Sequence, residues 1–455
     1  MLKKYLKVAG ISCLAIVMAL TLTGCGQKQS SEEKRELVIW GFIDEDVFKP
    51  IIKDFKQKNK NLEVVYYKKT LDGNYENNAL NSILSGQGPD VWAIPNDWVY
   101  RHKEKLAPMP EKTLTDKKII VKDYFAEPII QDNIFDNQIY GLAPTIDVLQ
   151  IYYNPAIYES ALENSNKINK NNQESKSELS KIFRNFPKTW GELNKIIPYL
   201  NVRNDSYLQR AAIAIGTSNN VTYSEDILSL LMLQAQTRMV SDDLTLATFN
   251  LPIKNSAGQD VFAGSNSLTF YANFADPSSP NYAWNSSMPS DVEAFVRGEV
   301  AMIFSYSNLA GYLQQIYPNL KFQQALIPQI EETGEIIDYA SYTTYVVPEI
   351  SPFAEQAWNF ISFLSTDGVS TYKSATKELS NRKKSSMGES ALKNRGDGDF
   401  QTEDFLTWNK SRYPLEVDSQ FKQAIDRVNN RSQNSQASLD TAATNITELL
   451  RKEIW

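Results

Sequence analysis

The chain has 455 residues, 42% hydrophobic and 11% aromatic, enough material to bury the cores of two or three lobes. Its formal charge is -7, and -10 without Lys3, Lys4 and Lys7, which excludes the clustered basic surface that nucleic acid demands. Both cysteines, Cys13 and Cys25, fall near the start, so the rest must fold without disulfides and has no thiol chemistry.

Lys3, Lys4 and Lys7 form a positive head, residues 8–22 are almost wholly apolar, and Leu22-Thr23-Gly24-Cys25 follows as a small-residue cleavage site ending in cysteine. The apolar run is shorter than the ~20 residues that span a bilayer. Residues 1–24 are therefore expected to be a removed lipoprotein signal peptide. Cys25 is then the lipidation site, anchoring the chain to the outer face of the cell membrane, and 25–36 a flexible linker.

Leu37-Val38-Ile39-Trp40 reads as a buried strand. Val47, Phe48, Ile51, Ile52 and Phe55 share one face of a helix, and residues 62–67 form the next strand. The breakers Gly88-Pro89-Asp90 lead into a third strand, Val91-Trp92-Ala93-Ile94. This alternation predicts an α/β fold with helices on both faces of the sheet. Thr189 with Glu192 has capping-box spacing and starts a helix. Residues 227–233 are apolar nearly all round and so buried, and 353–364 and 421–450 read as helices. The polar stretch 163–180 reads as an exposed insertion outside any core.

With these elements in place, the chain resembles the extracellular solute-binding proteins of ABC importers, in the sugar-binding group typified by maltose-binding protein. The motifs are Leu37-Val38-Ile39-Trp40, Ser85-Gly86-Gln87-Gly88-Pro89-Asp90-Val91, Ile139-Tyr140-Gly141-Leu142-Ala143-Pro144 with Ile151-Tyr152-Tyr153-Asn154, and Pro187-Lys188-Thr189-Trp190-Gly191-Glu192-Leu193. Phe295-Val296-Arg297-Gly298-Glu299-Val300-Ala301-Met302 and Ala357-Trp358-Asn359-Phe360-Ile361-Ser362-Phe363-Leu364 complete the series in family order. The resemblance implies two lobes, 37–146 plus 343–407 and 147–342 plus 408–455, with ligand held between them. It places chain crossings near 144–150, 338–343 and 408–418. It also implies a sugar or oligosaccharide ligand, an ABC permease as partner, a monomer, and neither a cofactor nor a metal.

Ligands of such folds lie beyond the carboxyl ends of parallel strands. In the family's register Asp44, Asp97 and Asp147 fall on sugar-binding acidic positions, while Glu45 and Trp98 replace basic ones. Asn219 and Tyr223 occupy a loop that often faces the cleft. The register of a stacking tryptophan lands on Asn308, with Tyr306 nearby, and Trp284 and Tyr342 are candidates for a replacement aromatic face. Carboxylates accept hydrogen bonds from sugar hydroxyls, and aromatic faces cover the apolar side of the ring. Losing both cations argues against an anionic ligand and leaves a polyamine as the alternative. Tyr152 and Tyr153 point to opposite faces of one strand and read as structural. An exported glycoside-acting enzyme is the less favoured alternative: no carboxylate pair stands out, and the only histidine, His102, reads as a solvated surface residue.

Overall fold

Strand β1 (Glu36–Gly41) pairs in parallel with β2 (Glu63–Lys68) from Glu36↔Glu63 to Gly41↔Lys68, and helix α1 (Glu45–Lys58) connects them. The helix buries Phe48, Ile51 and Phe55, spaced to share one face, and Phe48 stacks on Tyr66 at 4.0 Å. Burying a side chain of this size contributes about 1.5–3 kcal/mol. The computed structural model describes residues 36–452 apart from 205–206, 332–335, 377, 384–404 and 409–410. The expected signal peptide, Cys25 and the linker up to residue 35 lie outside the described residues.

Helix α2 (Tyr75–Leu84) leads to β3 (Val91–Pro95) through a tight turn. A Cβ on Gly88 would sit 2.6 Å from the Ile83 backbone, so the turn requires glycine there. The Asp90 carboxylate accepts from the Val38 N–H at 2.9 Å and the Ser351 hydroxyl at 2.6 Å, stitching the turn to β1. Next come α3 (Trp98–His102), α4 (Glu127–Asn133), β4 (Gly141–Leu142), β5 (Thr145–Val148) and β6 (Gln150–Tyr153).

Two helices, α5 (Pro155–Ile168) and α6 (Gln173–Asn185), cover the stretch expected as an insertion outside any core. That expectation is corrected, because Ser165 is fully buried and Leu179 joins the larger hydrophobic core. Polar composition hid an amphipathic helix whose apolar side is narrow.

Helix α7 (Trp190–Leu200) begins at Thr189, whose hydroxyl accepts from the Glu192 N–H at 3.2 Å, while Glu192 reaches the Lys188 N–H at 2.7 Å. The chain continues through β7 (Val202–Asn204), β8 (Tyr207–Ile213), α8 (Ser224–Gln234), α9 (Ala263–Asn273) and α10 (Asp291–Arg297). Gly298 closes α10 in the left-handed region at φ +71° and releases the chain into β9 (Val300–Ser305). Then follow α11 (Asn308–Ile316), β10 (Gln323–Ala325), β11 (Asp338–Ser341), β12 (Thr343–Val346), α12 (Ala354–Ser365), β13 (Leu379–Ser380), β14 (Phe405–Leu406), α13 (Pro414–Asn429) and α14 (Ser435–Arg451).

The strands form one sheet of order β2-β1-β3-β12-β4 and another of order β10-β6-β9-β8-β7, each in its own helix-covered lobe. Between them lies a sheet of order β13-β5-β11-β14. Val148 packs in the first lobe's core and Leu149 in the second's; Tyr339 packs in the second and Ala340 in the first. The chain thus changes lobe within β5–β6 and again within β11, and these crossings pair antiparallel through Ala340↔Val148 and Ser341↔Asp147. The segment 408–418 leads from β14, which pairs with β11, into α13, whose Phe421 belongs to the second core.

Candidate functional site

The carboxyl end of β3 delivers Asp97 to the face where the lobes meet, and α4 adds Asp132 from the same lobe. Asp132 is buried and accepts from Asn96 Nδ2 at 2.9 Å, the Tyr342 hydroxyl at 2.8 Å and Thr407 Oγ1 at 2.6 Å. The first turn of α8 brings Asp226 from the second lobe, where it accepts from the Tyr306 hydroxyl at 2.7 Å. Tyr223 meets the Tyr306 ring edge-on with centroids 4.9 Å apart. Asp418 enters from α13.

These carboxylates interact across the lobe boundary. Burial, then Asp132, pushes the Asp97 carboxyl up to about 7, while Arg101 works weakly the other way. Asp226 is raised by burial, then by Glu225, with Asp97 adding to the effect. Asp418 is raised well above the ordinary range by burial, then by Asp97 and Asp226. Tyr339, on the crossing strand β11, lies within electrostatic reach of all four aspartates. The site is therefore a carboxylate and tyrosine cleft supplied by both lobes, rich in hydrogen-bond acceptors. Among the described residues, no group of three or more His, Cys, Asp or Glu side chains is arranged to hold a metal ion.

Asp147 lies at the hinge itself. Its carboxylate accepts from the Ser307 N–H at 3.1 and 3.0 Å, the Ser307 hydroxyl at 2.9 Å and the Val148 N–H at 2.9 Å, tying β5 to the start of α11. Burial, then Glu378, raises its carboxyl, and Glu378 in turn accepts from the Thr145 hydroxyl. Its oxygens are thus engaged by the protein, although Tyr223 lies within its electrostatic reach.

Of the sequence candidates, Asp97, Tyr223, Tyr306 and the Tyr342 hydroxyl converge on this cleft. Trp98 is buried in the first lobe with its ring 6.1 Å from that of His102. Asp44 is exposed and paired with Lys68 at 2.5 Å, and Asn219 and Asn308 are exposed on the second lobe. Several expectations are corrected. Glu45 lines a groove of about 530 Å³ between α1 and edge strand β2, with Lys49, Lys53 and Lys56, and not the cleft. Trp284 is fully buried and donates its indole N–H to Asn220 at 3.0 Å, so it is core and offers no face. The Tyr342 ring is packed in the first lobe's core, leaving only its hydroxyl to act, on Asp132. His102 is 1% exposed, against Trp92 with centroids 5.0 Å apart and 3.1 Å from Glu76, because α3 turns it inward; burial depresses its pKa. Tyr152 is buried with its hydroxyl on the Tyr306 carbonyl at 2.8 Å, and Tyr153 packs on Tyr158 and Phe186 on the other face.

Asp132, Asp226, Asp418 and Tyr339 escape a reading of the sequence. Asp226 follows Tyr223 by three residues, a signal open to a search of that loop, and Asp418 ends the expected third crossing. Asp132 carries no local signal.

Two sheet-and-helix lobes, paired crossing strands and a polar cleft lined from both sides define a ligand-binding protein of the hinged, two-lobed class. The family model described as bacterial extracellular solute-binding protein matches residues 50–387, and the chain belongs to that family. A galactooligosaccharide-binding protein of Bacillus subtilis (strain 168) is 28% identical over 162 residues; the match spans 33% of this chain and 36% of that relative's length. Among solved structures, a cyclic alpha-maltosyl-1,6-maltose binding protein from Arthrobacter globiformis is similar with TM-score 0.69 and 18% identity, over 92% of this chain and 99% of that one. An ABC transporter solute-binding protein from Thermotoga lettingae, bound with alpha-D-tagatose, has TM-score 0.66 and 20% identity over 91% and 100%. These likenesses establish the shared fold.

Proposed function

We propose that the protein captures a sugar or oligosaccharide in the interlobe cleft and delivers it to an ABC import permease, without chemically changing it. The observation that carries this reading is the arrangement of Asp97 and Asp132 from one lobe opposite Asp226 and Asp418 from the other. A ligand bridging the two sets holds the lobes together, which converts binding into a shape the permease distinguishes. The lobes divide close to the expected boundaries at 146–147, 342–343 and 407–408, with Val148, Ala340 and Tyr342 packing in the first core, the chain acts as a monomer, and Cys25 holds it to the membrane by its acyl chains. The three relatives above are named for, or bound with, saccharides, which supports the substrate class.

A thermal-shift screen of mono- and oligosaccharides tests this reading. A saccharide at a hundred times its dissociation constant stabilises the folded state by ~2.7 kcal/mol, a clear rise in Tm, and is recovered intact. Saccharides that leave Tm unmoved, or are consumed, contradict it. For the anchor, Cys25→Ser removes incorporation of labelled palmitate; undiminished labelling contradicts the lipidation.

A further inference from the structure

Strand β2 is the outer strand of the first lobe's sheet, and among the described residues it pairs with β1 alone. Lys69, the next residue of the chain, donates its N–H to the Gly41 carbonyl at 2.7 Å. In a parallel ladder the N–H and C=O of one residue point to the same side, and successive residues alternate. Val64, Tyr66 and Lys68 therefore turn their backbone groups toward the open edge. An open edge is a template for a further strand, and proteins commonly shorten, bulge or cover it. Here it runs for six residues in regular register with β1, from Glu63 to Lys68.

A second observation concerns the space beside that edge. The groove of about 530 Å³ between β2 and α1 is lined by Ile52, Val64 and Tyr66 together with Lys49, Lys53 and Lys56, whose spacing puts them on one face of the helix. Against these three ammonium groups the lining has one carboxylate, Glu45, in a chain whose formal charge is -7. Lys49 pairs with Asp46 at 2.7 Å and Lys56 with Glu63 at 2.6 Å, while Lys53 has no carboxylate partner among the described residues. Ion pairs as open to solvent as these contribute little, so an incoming carboxylate exchanges for them readily. On the opposite face of the sheet Tyr67 is 47% exposed beside half-buried Val65.

We propose that this edge docks an acidic, extended segment of a partner protein, which adds a strand beside β2 and sets its carboxylates against Lys49, Lys53 and Lys56. The backbone groups of Val64, Tyr66 and Lys68 supply the ladder. Because side chains alternate across a sheet, the segment carries acidic residues on the side of α1 and apolar ones on the side of Val65 and Tyr67. The lysines decide the occupant. A second copy of the chain would bring like charges together along the paired edges. An anionic lipid surface would meet the lysines but leave the strand's N–H and C=O groups unmatched. The groove lies outside the interlobe cleft, so the inference is independent of what the cleft binds.

An immobilised peptide library tests it, with valine at alternate positions and Asp, Glu, Ser, Thr, Lys or Arg varied between them, probed with the labelled, purified protein. Members with Asp or Glu at the varied positions are expected to be retained and those with Lys or Arg rejected; retention without preference for acidic members overturns the proposal. In solution, fluorescence anisotropy of the best acidic peptide is expected to show about tenfold or more weaker binding to Lys53→Glu and to Lys49→Glu. Both sites are exposed, and an unchanged Tm verifies folding. N-methylation of the peptide on one alternate set of amides abolishes binding while the other set is tolerated, as a strand bonded along one edge requires. Equal tolerance of both sets, or unchanged affinity in the lysine variants, overturns strand addition at β2. Binding to phosphatidylglycerol vesicles with no acidic peptide retained assigns the lysines to a lipid surface, and self-association lost in Lys53→Glu assigns the edge to a second copy; each overturns the proposal.

Discussion

Tryptophan 284 and tyrosine 306 show how a residue's surroundings decide its role. Both are aromatic and buried in the second lobe, yet Trp284 is locked by Asn220 while Tyr306 directs its hydroxyl at a carboxylate in the cleft. Trp284→Ala is expected to cost about 3–5 kcal/mol of stability through the cavity it leaves, read as a large fall in Tm. Tyr306→Phe keeps the ring and leaves Asp226 without its hydrogen bond, an expected cost of about 1–3 kcal/mol with weaker ligand binding in the titration. His102 illustrates the limit of local reading: its charged neighbours Arg101 and Lys103 suggest a wet face, but the short helix rotates it onto Trp92. Position in three dimensions, which one residue type does not encode, separates these cases.

At the level of elements, the strands and helices with clear periodicity were legible. The expected helix with Phe48, Ile51 and Phe55 on one face is α1, and the Thr189 cap starts α7 as its spacing requires. The expected single helical stretch 421–450 is two helices, α13 and α14, interrupted between Asn429 and Ser435 by a polar turn. Less of the site was legible, because its parts come from β3, α4, α8, β11 and α13, which meet only after the chain has crossed between lobes. The element that organises this meeting is the pair of crossing strands, with Asp147 joining β5 to α11 through Ser307. Ser307→Ala withdraws the hydroxyl from a buried carboxyl and is expected to lower stability by about 1–3 kcal/mol, measured by denaturant unfolding; an unchanged midpoint contradicts the latch.

For the whole molecule, buried carboxyls set the response to pH. Asp97, whose ordinary value is 3.8, is raised to about 7, and Asp147 and Asp226 move in the same direction. Each binds its proton more tightly in the folded state than in the unfolded chain. Their contribution is complete below the ordinary carboxylate range and is lost as pH rises through about 7. Glu76 acts oppositely: burial works against its charge, but His102 and Arg101 prevail and hold it at about 2, so its contribution is lost only as pH falls toward that value. The ligand-free protein is expected to melt at a higher temperature near about pH 5.5 than near about pH 8, and Asp147→Asn flattens the difference. Capture between the lobes is decided by titrating a saccharide that raises Tm into the wild type and into Asp97→Asn and Asp226→Asn, one from each lobe. Capture in a cleft built by both lobes predicts that each substitution weakens binding by about tenfold or more; unchanged affinity in either variant contradicts it.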